Sequence, residues 1–156
     1  ADNSLVTPRK EEVDLAREVA RLLEFYEALA AESSVRLEAV GAVHVAADRL
    51  MLQRALSNLI SNAIRHTRRG GTVSVRLAGE AGQAVISVDN PGEIPAQHLP
   101  RLFDRFYTGD PARRASGEGT GLGLAITRDI VAAHGGSITA SSEAGVSRFR
   151  VVLPAA

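Results

Sequence analysis

Two carboxamide side chains and one guanidinium are spaced so that they share one flank of a helix. Asn58, Asn62 and Arg65 lie four and three positions apart in a stretch with a helical apolar period. A carboxamide oxygen is a neutral, hard ligand, which suits a Mg²⁺ ion that keeps waters and phosphate oxygens in its shell. The guanidinium of Arg65 can meet phosphate oxygens in a fork. Asn residues four apart are also ordinary on a solvated helix edge, so the trio alone is a weak indication.

A glycine-rich stretch is the second feature with chemical potential. It reads Gly119, Thr120, Gly121, Leu122, Gly123 and Leu124, and it opens a predicted helix. Glycine permits positive φ and close approach of the backbone, and a helix N-terminus offers unpaired N–H groups to phosphate. No βαβ unit precedes the stretch, and it lacks a Gly-Lys-Ser/Thr end, so it fits neither the dinucleotide fingerprint nor the P-loop. A flexible loop before a buried helix is the alternative interpretation.

Apolar periodicity predicts the elements that must position these residues. Helices are predicted over 11–32, 48–66, 96–106 and 121–134, and strands over 35–40, 43–45, 72–77, 84–88, 137–142 and 147–153. Asp48 is expected to cap the second helix, and the acidic residues among 11–14 are expected in the first turn of the first helix. Asn90-Pro91-Gly92 is expected to break the strand over 84–88. The pattern predicts a two-layer α/β sandwich, with a mixed, mostly antiparallel sheet covered by helices on one face.

Composition excludes several classes of function. The chain has 156 residues, enough for one domain, and 18 basic residues balance 18 acidic ones. That balance gives no reason to expect nucleic-acid binding. The absence of cysteine excludes disulfides and thiolate metal sites. No apolar run approaches the roughly 20 residues that span a bilayer.

Three motifs in this order resemble the catalytic and ATP-binding domain of sensor histidine kinases, which has the Bergerat fold of the GHKL class. They are Asn58-Leu59-Ile60-Ser61-Asn62-Ala63, then Leu102-Phe103-Asp104-Arg105-Phe106-Tyr107, then Gly119–Leu124. The resemblance runs from about residue 11 to residue 154. Residues 1–10 are expected to be a linker from an N-terminal dimerisation and phosphoacceptor domain, and 11–156 to form the catalytic domain. The Asn-Pro-Gly turn is similar to that of the heavy-metal-sensing branch.

The resemblance implies roles for individual residues. Asn62 would hold Mg²⁺, while Asn58 and Arg65 would contact the phosphates, and these three form the predicted catalytic set. His66 is a further candidate for holding the nucleotide. The aromatic pair Phe106 and Tyr107 would anchor an ATP lid over residues 107–120, and the glycine-rich stretch would approach the phosphates.

One substitution in the resemblance bears on the reaction. The related gyrase and Hsp90 ATPases have a Glu that activates water where this chain has Asn58. A carboxamide has no accessible proton affinity near neutral pH and cannot serve as a general base. The site is therefore better suited to holding ATP than to hydrolysing it.

The residue that would read adenine has two candidates. The family form is Asp-x-Gly-x-Gly-Ile-Pro, and counting back from Ile94 makes Asp89 the adenine residue. Counting by strand alternation makes Asn90 that residue, with Gly92 as the first glycine of a shortened loop. Asn90 is favoured because of the Asn-Pro-Gly resemblance, and its side-chain oxygen can accept the adenine amino hydrogen.

The resemblance implies a kinase that transfers the γ-phosphate of ATP to a histidine on a separate helical dimerisation domain of the same protein, for relay to a response regulator. None of the four histidines has the surroundings of that acceptor; they are His44, His66, His98 and His134. The fragment is expected to be a monomeric cytoplasmic domain of a homodimeric protein in the inner membrane of a bacterium. An anti-sigma-type serine kinase, a hydrolytic ATPase and a non-catalytic nucleotide sensor remain as alternatives.

Overall fold

The computed structural model of the chain describes residues 7–105 and 123–155, and the fold is given for these. Three helices are present, α1 (Leu15–Glu32), α2 (Arg49–Arg65) and α3 (Gly123–Ala133). The strands are β1 (Glu11–Asp14), β2 (Arg36–Gly41), β3 (His44–Ala47), β4 (Thr72–Glu80), β5 (Gln83–Pro91), β6 (Ser137–Glu143) and β7 (Val146–Pro154). In this part of the chain no helix is long and apolar enough to cross a membrane.

Five strands form the main sheet in the order β2-β4-β5-β7-β6. The edge strand β2 runs parallel to β4, and the other neighbours are antiparallel. Side chains that alternate along β5, such as Ile86 and Val88, join the apolar core with the buried faces of the helices. The fold is therefore the predicted two-layer sandwich with a mixed, mostly antiparallel sheet, and that prediction is confirmed.

Helix α2 forms where its capping residue and apolar stripe predict it. The carboxylate of Asp48 accepts the Met51 N–H at 3.1 Å, which satisfies one of the unpaired donors of the first turn. The apolar stripe is buried throughout, at Leu52, Leu56, Leu59, Ile60 and Ala63. Burying a side chain of leucine size contributes about 2 kcal/mol, so this stripe fixes which flank of the helix remains for polar residues.

The first helix begins later than the acidic pattern predicts. Glu11 and Glu12 lie in β1, which pairs antiparallel with β3, and only Asp14 belongs to the helix start as its N-cap. Val13 enters the core at 1% exposure, while Glu11 and Glu12 stay exposed. Burial of that one valine and the backbone pairing with β3 outweigh the preference of acidic residues for a first turn, so the predicted start at residue 11 is wrong.

The helix predicted over 96–106 is also wrong for its described part, 96–105. Only Leu99–Arg101 forms a single 3₁₀ turn there. Pro100 explains why no α-helix runs through this segment, because Pro100 has no N–H to donate and its ring clashes with the carbonyl four residues earlier.

The strand break at Asn90-Pro91-Gly92 comes later than predicted. Strand β5 continues through Pro91, which pairs with Val146. The pairing of β5 with β4 ends at Asp89, so the missing N–H of Pro91 costs no ladder bond on that side. The chain leaves the sheet at Gly92, whose φ of +136° favours glycine.

His44 gives the pairing of β1 with β3 a pH dependence. Its Nδ1 lies 3.0 Å from Oε2 of Glu12, and its Nε2 lies 3.9 Å from Oδ2 of Asp14. The hydrogen bond to Glu12 raises the pKa of His44 above its ordinary 6.5. Because the pKa is raised in the folded state, the protonated His44 stabilises the fold fully when the pH is below the ordinary pKa. This stabilisation is lost as the pH rises through the raised pKa.

We expect wild type to have a higher urea-unfolding midpoint than His44→Gln. The difference between the two midpoints should be larger at about pH 5.5 than at about pH 9. The effect is small because all three side chains are exposed. A midpoint difference that stays constant between those two pH values would contradict it.

Candidate nucleotide site

Asn58 joins α2 to the beginning of α3. Its Nδ2 donates to the carbonyl of Gly123 at 3.1 Å and to Oγ1 of Thr127 at 3.4 Å. Thr127 in turn donates its hydroxyl hydrogen to the same Gly123 carbonyl at 2.8 Å. The first predicted asparagine therefore lies directly against the first turn of the helix that the glycine-rich stretch opens.

The other polar residues of the flank follow along α2. Asn58 and Asn62 are half-buried, whereas Arg65 and His66 are exposed. Helix geometry places Asn62 one turn beyond Asn58, with Arg65 near the C-terminal end and His66 as the C-cap. The flank thus carries two carboxamides near the α2–α3 contact and a cation at its C-terminal end.

The candidates in the aromatic motif, the lid and the glycine-rich stretch fall partly outside the described residues. This applies to Phe106, Tyr107, Gly119, Thr120, Gly121, Leu122 and the lid over 107–120, whereas Gly123 and Leu124 begin α3. Phe103 of the aromatic motif packs edge-to-face on Phe149 of β7, with ring centroids 6.0 Å apart. Arg105 pairs with Asp129 of α3 at 3.2 Å. The described end of this motif is anchored to the core and to α3.

Asp89 and Asn90 lie on opposite faces of β5. The Asp89 carboxylate accepts two hydrogen bonds from Arg148, at 3.0 and 3.1 Å, and one from Arg76 at 2.7 Å. The hydrogen bonds to Asp89, together with its negative charge, raise the pKa of Arg148 above the ordinary value. Asn90 lies two residues after the core residue Val88, on the same face of β5, and is 5% exposed. Of the two candidates, the arrangement favours Asn90 as the one that faces the helices.

The loop after β5 is held by the β6–β7 hairpin. Gly92 donates its N–H to Gly145 at 2.8 Å and accepts from the Ser147 hydroxyl at 2.9 Å. Ile94 donates its N–H to the hydroxyl of Ser142 at 2.9 Å. Neither serine is among the residues predicted for the site, and nothing in their spacing indicates that they reach this loop.

Comparison with known proteins identifies the family to which the chain belongs. Residues 47–156 match the family of histidine kinase-, DNA gyrase B- and HSP90-like ATPases. The chain belongs to this ATPase family. The sensor histidine kinase CusS of Escherichia coli (strain K12) is 49% identical over 157 residues, which cover 99% of this chain and 33% of CusS. The ATPase domain described here therefore spans about a third of that relative.

Solved structures agree with the family assignment. The mycobacterial sensor histidine kinase MprB is 30% identical, with a TM-score of 0.81 and coverage of 94% of this chain and 97% of that one. Full-length ShkA in complex with AMPPNP is 26% identical, with a TM-score of 0.82 and coverage of 97% and 32%. The ATPase domain is thus of the histidine-kinase catalytic type, as predicted, and the serine-kinase and sensor-only alternatives are not favoured.

His134 makes a second connection between α2 and α3 of the ATPase domain. It is 3% exposed, its Nδ1 lies 2.8 Å from the Ile130 carbonyl, and its Nε2 accepts the Asp48 N–H at 3.0 Å. The far end of α3 is thereby tied to the capping residue of α2. From the sequence, His134 is predicted only to end a helix and to lack the surroundings of a phosphoacceptor, and nothing local indicates this link to Asp48.

Proposed function

We propose that this domain binds ATP with Mg²⁺ between α2 and α3 and is the catalytic domain of a sensor histidine kinase. It would deliver the γ-phosphate to a histidine on the helical dimerisation domain of the same protein. The observation that carries the proposal is the contact of the Asn58 carboxamide with the first turn of α3, next to Asn62 on the same flank. The similarity to ShkA, which is known in complex with AMPPNP, supports it.

The donor set fits a metal ion that arrives with the nucleotide. Within residues 7–105 and 123–155, no group of three His, Cys, Asp or Glu residues could hold a metal. A neutral carboxamide such as Asn62 suits an ion that takes most of its ligands from phosphates and water. When bound, Mg²⁺ would neutralise charge on the phosphates. Arg65, at the C-terminal end of the flank, would contact the phosphates. His66, the next residue, would help to hold the nucleotide.

The chemistry that the described residues support is transfer rather than hydrolysis. Asn58 has no proton affinity with which to activate water. Its two hydrogen-bonded partners on α3 hold it in place instead, so the domain contributes position and charge to an in-line transfer. The glycine-rich stretch and the aromatic pair Phe106 and Tyr107 would complete the phosphate site and the lid.

Titration calorimetry of the chain with AMPPNP, in Mg²⁺ and in EDTA, tests the binding site. We expect binding that Mg²⁺ strengthens. Addition of labelled ATP and the acceptor domain of the same protein then tests transfer, which should label a histidine. Failure of the folded chain to bind any adenine nucleotide would overturn the proposal. A labelled serine would indicate a serine kinase instead, and rapid ATP hydrolysis would indicate a hydrolytic ATPase.

Asn90 is proposed to read adenine, together with Gly92 and Ile94 in the loop that follows. We expect Asn90→Ala to weaken AMPPNP binding by about tenfold, the size of one buried hydrogen bond in a ligand site. The loss should be smaller for an analogue with a purine that lacks the 6-amino group. Calorimetric titration with both nucleotides measures the difference.

Asp89→Ala is the matched control for that experiment, because Asp89 is the neighbouring residue on the opposite face. It should lower the free energy of unfolding by breaking the contacts with Arg76 and Arg148, yet leave nucleotide affinity within about twofold. The reverse pattern, with affinity lost in Asp89→Ala and kept in Asn90→Ala, would assign adenine reading to Asp89.

The wider assignment follows from the same family. We propose that the partners of this domain are the helical dimerisation and phosphoacceptor domain and a cognate response regulator, with no nucleic acid. The parent protein would be a homodimer in the inner membrane of a bacterium, with this domain in the cytoplasm. Similarity to CusS supports placing it in the heavy-metal-sensing branch.

A further inference from the structure

Thr127 is a fully buried polar residue in α3 that no predicted role uses. It is 0% exposed, and its hydroxyl donates to the Gly123 carbonyl one turn earlier at 2.8 Å. That bond satisfies the single hydrogen of the hydroxyl. Only the lone pairs of Oγ1 remain to face Asn58, 3.4 Å away.

The two groups of α3 that contact Asn58 are therefore both acceptors. One is the Gly123 carbonyl and the other is Oγ1 of Thr127. A carboxamide has two hydrogens on its nitrogen and lone pairs only on its oxygen. Two acceptors on one side of Asn58 select the orientation in which Nδ2 faces α3 and Oδ1 faces elsewhere.

We propose that Thr127 is a positioning residue, which fixes the Asn58 carboxamide so that Asn58 offers its oxygen rather than its NH₂ group to the bound nucleotide. The proposal rests on the proposed function and refines it. An amide oxygen cannot donate to an ionised phosphate, but it can accept from a metal-bound water or bind the metal itself. Asn58 would then contact the Mg²⁺ ion or one of its waters. This contact would replace the direct phosphate contact that the family resemblance implies for Asn58.

Thr127→Val tests this, because valine keeps the shape of the side chain and removes the acceptor. The measured quantity is the Mg²⁺ enhancement, defined as the ratio of AMPPNP dissociation constants in EDTA and in Mg²⁺. We expect Thr127→Val to lower this ratio by on the order of fivefold, the size of one net hydrogen bond, with little change in EDTA. Thr127→Ser should restore it, and Thr127→Val should add nothing in an Asn58→Ala background.

A second measurement needs no nucleotide. The side-chain amide signals of Asn58 in a ¹⁵N–¹H spectrum, identified by their absence in Asn58→Ala, should move in Thr127→Val and return in Thr127→Ser. If wild type does not bind AMPPNP, the proposed function fails, and these signals still decide whether Thr127 orients Asn58. Equal loss of affinity in Mg²⁺ and EDTA, an unchanged ratio, or additive effects of the two substitutions would overturn the positioning role.

Discussion

Asn62→Ala is expected to reduce phosphoryl transfer from ATP to the acceptor histidine by about 100-fold or more. The substitution removes the carboxamide that we propose as the Mg²⁺ ligand on α2, while the buried stripe of the helix is untouched. Loss of one preorganised group that acts on developing charge commonly costs about 100-fold to 1,000-fold in rate. The reaction is followed as label on the acceptor domain, and the Mg²⁺ enhancement of AMPPNP binding should fall with it.

Gln53→Ala is the matched control, since it removes a carboxamide from the same helix on a different flank. Gln53 donates to Glu18 of α1 at 2.9 Å, and among the described residues it has no hydrogen bond to α3. It should keep its Mg²⁺ enhancement and transfer rate while losing some stability. Equal transfer by Asn62→Ala and wild type, in samples that melt at the same temperature, would remove Asn62 from the metal site.

Local patterns were sufficient to predict the element that carries these carboxamides. The cap at Asp48 and the apolar period of α2 are both properties of neighbouring residues, so they survive in any tertiary setting. The flank that holds Asn58, Asn62 and Arg65 follows from them by helix geometry alone. The sheet architecture followed in the same way from alternating strands and their turns.

What the sequence could not predict depends on contacts between distant residues. The β1 strand exists because Val13 is buried and its backbone pairs with β3 more than 30 positions later, and no local propensity records that pairing. Likewise, whether Asp89 or Asn90 faces the helices is a question of strand parity. A shift of one residue in the motif alignment changes which of the two faces the helices. The arginines that bind Asp89 come from two other strands, so they could not be predicted either.

The links between α2 and α3 belong to the same class. Thr127 and Asn58 are 69 positions apart, and Asp48 and His134 are 86 apart. Each link gives a buried polar side chain, Thr127 or His134, a partner from α2 or its capping residue. Because they lie at opposite ends of α3, they fix both its distance from α2 and its direction. Of the four residues that hold the two walls of the proposed site, only Asn58 belongs to a nucleotide motif; Thr127, Asp48 and His134 do not.

His134→Ala is therefore expected to lower the free energy of unfolding by about 3 kcal/mol. It leaves the Asp48 N–H without its acceptor, which costs about 1–3 kcal/mol, and it opens a cavity where the ring was packed. Equilibrium unfolding in urea measures the change as a lower midpoint at unchanged slope. The midpoint should fall without AMPPNP and recover in part when saturating AMPPNP is added, because the nucleotide binds only the folded state.

His134→Gln separates the hydrogen bond from the cavity. A glutamine side chain reaches about as far as Nε2 and can place an oxygen opposite the Asp48 N–H, so it should regain about half of the lost stability. Equal destabilisation by the alanine and glutamine variants would assign the effect to packing alone. If His134→Gln restores stability but binds AMPPNP more weakly than wild type, the imidazole ring itself sets the direction of α3. The first turn of that helix, which Asn58 contacts, is then displaced without the ring.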